Sequence, residues 1–166
     1  MVFTPYSITL LFISLFMVVV YGYLWPRRGA RGVRPLAWLF LFAAIWCLGS
    51  SFRNAAGEND AQQLWTLVNF AGIITTPLLY LFFVVEYCGY ERHFQIRFLR
   101  FLWIVPLLTF AAALTNDYHH LLWLDPPRLA GTVLLWYGPL FWFYIAFSVF
   151  AMIIALVILL GSLLSV

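Results

Sequence analysis

Five stretches without a charged side chain leave this sequence very few folds: Met1 to Pro26, Pro35 to Phe52, Ala61 to Val85, Phe101 to Asn116 and Leu129 to Val166. A helix rises about 1.5 Å per residue, so about 20 apolar residues cross a hydrocarbon core of about 30 Å. Inside that layer each backbone N–H and C=O must be satisfied within the segment, which selects helices. The fourth stretch is the shortest and gains length from Phe98 and Leu99, with Arg97 and Arg100 snorkelling to the headgroups. The spacing predicts spans at Tyr6–Trp25, Pro35–Phe52, Leu64–Tyr87, Phe98–Thr115 and Pro139–Leu164. The expected fold class is all-α, a polytopic membrane helix bundle of five transmembrane helices forming a single domain over residues 1–166. Composition agrees, since 65% of residues are hydrophobic and 9% charged, against about 25% charged in soluble domains.

The first span is expected to stay in the membrane. It has no basic n-region, its first positive residue being Arg27, and it is longer than the h-region of a signal peptide. Orientation follows from the arginines. Arg27, Arg28, Arg31 and Arg34 occupy the first loop and Arg92, Arg97 and Arg100 the third, while the second and fourth hold only Arg53 and Arg128. Four acids, Glu58, Asp60, Asp117 and Asp125, fall in the poorly basic loops. Positive-inside bias then places the N-terminus outside the cytoplasm and the C-terminus at the cytoplasmic face. The pI of 9.1 reads as topology and attraction to anionic headgroups, with no nucleic-acid partner required. Cys47 and Cys88 are expected near opposite membrane faces, too far apart for a disulfide, and read as packing residues.

Several chemistries are excluded. With no lysine in the chain, no retinal Schiff base can form. No charge is expected at the bilayer midplane, which argues against a proton pump or charge-coupled carrier. The sequence has no phosphate-cradling glycine loop, no pair of buried carboxylates and no phosphoacceptor histidine in a cytoplasmic helix. The chain is expected not to be an enzyme and to need no cofactor.

Residues Asn116 to Gly138 form a long, aromatic, sparsely charged loop in which two apolar runs flank Asp125-Pro126-Pro127-Arg128 and Gly131. That pattern predicts a short extracytoplasmic β-hairpin or lid between the fourth and fifth spans, held at the headgroup layer by Trp123, Trp136 and Tyr137. His119 and His120 sit at its rim with Asp117 nearby, but no third or fourth ligand at a telling spacing supports a metal site. Interfacial hydrogen bonding is their plainer use. Asn69, about one and a half turns inside the third span, needs an interhelical partner. Trp46, Trp65, Trp142 and Tyr144 are either belt aromatics or, with Asn116, His119 and Trp123, the lining of an outward-facing pocket. Pro35 and Pro139 suit first helical turns, while Pro77 and Pro106 are expected to kink their helices. Thr75 and Thr76 are placed to take up carbonyls freed by Pro77. Glu86 ends the third span, where its bland role is a solvated carboxylate near Arg92 or Arg97 and its sharper one a switch.

Glu86-Tyr87-Cys88-Gly89, then Leu114-Thr115-Asn116-Asp117-Tyr118-His119-His120-Leu121-Leu122-Trp123, then Tyr137-Gly138-Pro139-Leu140-Phe141-Trp142 resemble motifs of the N-terminal seven-helix sensor region of bacterial and archaeal histidine kinases. Pro106, Trp46 and the stretch from Trp65 to Pro77 fit the same pattern. The resemblance implies a sensory input module of the prokaryotic inner membrane. It would perceive a small-molecule or membrane-borne cue and pass it, as a homodimer, to a cytoplasmic kinase or cyclase output domain. Carried over by motif, the candidate ligand-binding residues are Asn116, His119, His120, Trp123, Tyr137 and Trp142, joined by Trp65 and Asn69, with Pro77, Glu86 and Pro106 as candidates for transmission. Two helices and every output domain of that family lie beyond Val166, so the chain is expected to be a fragment, a truncated gene product or a stand-alone relative. Two other readings compete: a non-enzymatic subunit packing on a partner membrane protein through Gly49, Ser50 and Ser51, and a neutral-solute channel resting on the kinked helices.

Overall fold

The computed structural model describes residues 2–57, 59–90, 101–124 and 136–164. Helix α1, Pro5–Leu24, starts where Thr4 is extended and its side chain accepts from the Ser7 N–H, with proline in the first turn. A short 3₁₀ turn, Trp25–Arg27, and Gly32 at φ 74° lead into α2, Val33–Ala55. Helix α3, Asn59–Tyr87, is the longest. The later helices are α4, Ile104–Leu114, the single turn α5, Asn116–His119, and α6, Pro139–Leu164. Strands β1, Trp123–Leu124, and β2, Trp136–Tyr137, pair antiparallel, with Trp123 opposite Tyr137.

Among the described residues four helices are long and apolar enough to cross a membrane: Pro5–Arg27, Val33–Ala55, Ala61–Tyr87 and Pro139–Leu164. These agree with four of the predicted spans to within a few residues. For the remaining one, Phe98–Thr115, residues 98–100 lie outside the described residues, and the described helix α4 has only 11 residues. Pro106 accounts for where it begins. A proline has no N–H to offer the carbonyl four residues back, and its ring crowds that carbonyl. That carbonyl, on Leu102, accepts instead from Val105 N–H at 3.2 Å. The kink expected inside a helix is therefore a turn at Leu102–Trp103 that places Pro106 in the first turn of α4.

Helix α3 is the axis of the bundle, packed on α2 along one side and on α6 and α4 along the other. Leu78, Leu81, Val84 and Val85 bury against Ala151 and Ala155 of α6 in one cluster. Phe70 and Ile74 bury against Ala113, Leu122 and Tyr144 in the other. Apolar burial drives little association between helices already in lipid, so close backbone approach and polar bonds must hold them. Both occur. A Cβ added to Gly72 would lie 2.5 Å from Trp46 N, and one added to Gly49 2.5 Å from Asn69 N. These two glycines let α2 and α3 touch backbone to backbone. Ser14 Oγ donates to Ala44 O at 2.9 Å and Ser51 Oγ to Ser7 O at 2.6 Å, tying α1 to α2.

The bundle has two distinct ends. Val2 N–H donates to Ala55 O at 2.8 Å, which puts the N-terminal segment beside the α2–α3 connection. At the other end the first loop meets the end of α3, Gly32 lying against Tyr87 and Gly89 against Arg31.

Candidate functional site

The motif Tyr-Gly-Pro has a direct structural cause. Where the chain enters α6 it crosses the segment after α5 so closely that a Cβ on Gly138 would sit 2.2 Å from the Leu121 carbonyl oxygen. Gly138 N–H donates to Leu122 O at 2.8 Å and Leu140 N–H to Leu121 O at 3.0 Å, while Pro139 opens the helix. Asn116, buried at 2% exposure, holds the opposite side of the crossing. Its Oδ1 accepts from Leu122 N–H (3.0 Å) and Trp123 N–H (3.3 Å), and its Nδ2 donates to Trp123 O at 2.8 Å. The amide behaves as a surrogate strand partner.

His119 serves the same junction. Leu121 N–H donates to its Nδ1 at 3.1 Å, so the neutral ring carries its proton on Nε2, which lies 3.1 Å from Thr115 Oγ1. His120, half-buried, turns the chain in the left-handed region at φ 51°. Among the described residues no three His, Cys, Asp or Glu side chains gather as a metal site would need.

The ordered crossing walls a cleft of about 170 Å³ at this end of the bundle. Its lining comes from three helices and the strand pair: Arg53 of α2, Thr66, Asn69, Phe70 and Ile73 of α3, Trp123 and Tyr137 of the strands, and Phe141, Tyr144 and Ile145 of α6. Trp123 stands edge-on to Phe70 at 5.6 Å, and Tyr137 stacks on Phe141 at 3.8 Å. Of the residues singled out in the sequence, Asn69, Trp123, Tyr137 and Tyr144 meet here. Asn116, His119, His120, Trp65 and Trp142 are absent from the lining. Trp65 stacks on Phe52 at 4.4 Å between α2 and α3, and Trp142 is 60% exposed on the outside of α6. Arg53 stands out in the sequence only as a loop charge; nothing in its spacing shows that it lines a cleft with Asn69 and Tyr144.

Asn69 bonds across helices as its position in an apolar span requires. Its Nδ2 donates to Ser50 Oγ and, at 3.4 Å, to Trp46 O. Below it, Pro77 lies inside the continuous helix α3 and leaves the Ile73 carbonyl without its helical donor. Thr75 and Thr76 donate to the carbonyls of Ala71 and Gly72, just upstream of that orphan. The hydroxyl of Tyr144 does the rest: it reaches across from α6 to Ile74 O at 2.9 Å and Ile73 O at 3.4 Å. The wall of the cleft is thus bonded to the helix segment loosened by Pro77. Glu86 lies far along α3 at the other bundle end, half-buried. Its expected partners Arg92 and Arg97, and the Asp125–Leu135 part of the expected hairpin, lie outside the described residues.

The family model described as the N-terminal 7TM region of histidine kinase matches residues 9–166 of the chain. Neither the comparison with curated proteins nor that with solved structures gave a match.

Proposed function

Because the chain belongs to the family of the N-terminal 7TM region of histidine kinase, a membrane sensory input module without catalytic machinery of its own, we propose that the cleft between α2, α3, α6 and the strand pair is where it perceives its cue. The observation that carries this reading is the bond from a cleft residue, Tyr144, to the carbonyls beside Pro77. A molecule filling the cleft presses on Tyr144 and Asn69, whose bonds fix α6 and α2 to α3. Displacing Tyr144 shifts the Pro77 segment, and the buried contact of Leu81, Val84 and Val85 with Ala151 and Ala155 carries the shift down α3 and α6.

In this reading the cleft faces the extracytoplasmic side of a prokaryotic inner membrane, as the arginine distribution suggests. The segment ending in α4 supplies a fifth crossing, the strand pair is the base of a hairpin lid, and the output domain is a cytoplasmic kinase or cyclase acting in a homodimer. Asn116 and His119 act by holding the chain that leads into the lid, Asn116 through Leu122 and Trp123 and His119 through Thr115 and Leu121.

The test joins the chain in frame to a histidine kinase and measures autophosphorylation in membranes. Trp123→Ala and His119→Ala should each change the output in chains that circular dichroism and gel filtration show to be folded. Unchanged output from the double variant would sink the proposal.

A further inference from the structure

The geometry points to a small organic monoanion with an apolar body, of the size of an aromatic monocarboxylate, as the molecule this cleft binds, its charge held by Arg53. The inference rests on the reading of the cleft as the perception site and adds the chemistry of the occupant. Volume sets the size. About 170 Å³ is a little more than the ~150 Å³ that accommodates benzene, and well below the ~300 Å³ where drug-sized sites begin. One ring and one small polar group fill it.

The lining sets the polarity. Phe70, Ile73, Trp123, Phe141 and Ile145 give apolar and aromatic walls, suited to a flat hydrocarbon body. Two of the lining hydroxyl protons are engaged, since Thr66 Oγ1 donates to Gln62 O and Tyr144 donates to Ile74 O, while Tyr137 and Trp123 add neutral donors to the lining. The amide nitrogen of Asn69 is turned to α2. Arg53, half-buried in the last turn of α2, is the cation of the set. The plain role of an arginine there is to complement the negative end of the helix dipole. Its place in the cleft wall gives it a further one, because a planar guanidinium fork matches a carboxylate. A neutral amide of the same shape can accept a bond from that fork but brings no opposite charge, and a cation is repelled by it.

The same chemistry is available from two sources, a free carboxylate in the water phase or the headgroup of an anionic lipid, and the experiment separates them. The chain is placed in nanodiscs of phosphatidylcholine, and binding of radiolabelled benzoate is measured by equilibrium dialysis beside its neutral isostere benzamide. Saturable benzoate binding is expected, with benzamide about tenfold weaker or more. Arg53→Gln should lose about tenfold or more in benzoate affinity, and Arg53→Lys, which keeps the charge without the fork, should fall between that variant and the parent. Circular dichroism and gel filtration verify that both variants are folded. Benzoate binding that persists in discs containing phosphatidylglycerol supports the water-phase source; its competitive loss there, growing with the phosphatidylglycerol content, supports the same anion site filled by a headgroup. Equal binding of benzamide and benzoate, an Arg53→Gln variant that binds like the parent, or no saturable benzoate binding in either lipid overturns the inference. Binding is read apart from kinase output, so an intact benzoate site with unmoved output would defeat the sensor reading alone.

Discussion

A single hydrogen-bonding amide and a single missing Cβ determine how the chain returns to the membrane at α6. Asn116 makes three bonds to the backbone of Leu122 and Trp123, and Gly138 allows that backbone to lie against the entry to α6. An alanine at 138 would place its Cβ inside the contact radius of the Leu121 carbonyl, so one of the two crossing segments must move. Overpacking of that kind costs about 1–3 kcal/mol. Gly138→Ala should therefore lower the thermal unfolding midpoint in detergent and disturb the Trp123–Phe70 contact. Gly57→Ala is the matched control, because a Cβ there meets nothing within 4 Å. A Gly138→Ala chain as stable as that control would refute the account of the Tyr-Gly-Pro motif.

Between elements, the pair α3–α6 carries the sharpest test. Tyr144 is 1% exposed and bonds to the carbonyls of the Pro77 segment. Tyr144→Phe keeps the ring and removes only the hydroxyl. Interhelical hydrogen bonds in membranes average about 0.6 kcal/mol and reach about 1.7 kcal/mol, so the loss of stability should fall in that range by denaturant titration. The larger effect is expected in hydrogen exchange, with faster exchange of amides around Ile73 to Leu78. Unchanged exchange there would show that the hydroxyl does not brace the segment. This element-level bond also marks where the sequence stops being readable. Charge-free runs located four long helices to within a few residues, because the bilayer imposes a length that composition must meet. Asn69 announced an interhelical bond because an amide in an apolar span needs one. Which helix answers the carbonyl orphaned by Pro77 depends on the rotation of α6 about its axis, and an apolar stripe surrounded by lipid leaves that rotation unmarked. Arg53 was hidden for a related reason. Its charge is visible in the sequence, but its place beside Asn69 comes from the close approach of α2 and α3 at Gly49 and Gly72.

At the scale of the whole molecule, the question with the most consequence is which end faces the cytoplasm. The end opposite the cleft carries Arg27 and Arg28, and these are held at an interface by aromatic neighbours. The Arg27 guanidinium lies 3.9 Å from the centre of the Tyr23 ring and donates to Tyr23 O at 2.7 Å, and that of Arg28 lies 4.7 Å over Trp25. An arginine–aromatic collar of this kind anchors a helix end among headgroups. Moving such a cluster across the membrane during insertion is disfavoured, so the cleft end is the one expected to be translocated. Gly29 and Gly57 offer a clean measurement, since both are exposed and a side chain at either meets nothing within 4 Å. In a background with Cys47 and Cys88 replaced by alanine, Gly57→Cys should react with a membrane-impermeant maleimide in intact spheroplasts. Gly29→Cys should react only after permeabilisation. The reverse pattern would place Arg53, Trp123 and the cleft in the cytoplasm, where an extracytoplasmic cue could not reach them, and the proposed direction of signalling would have to be abandoned along with the topology.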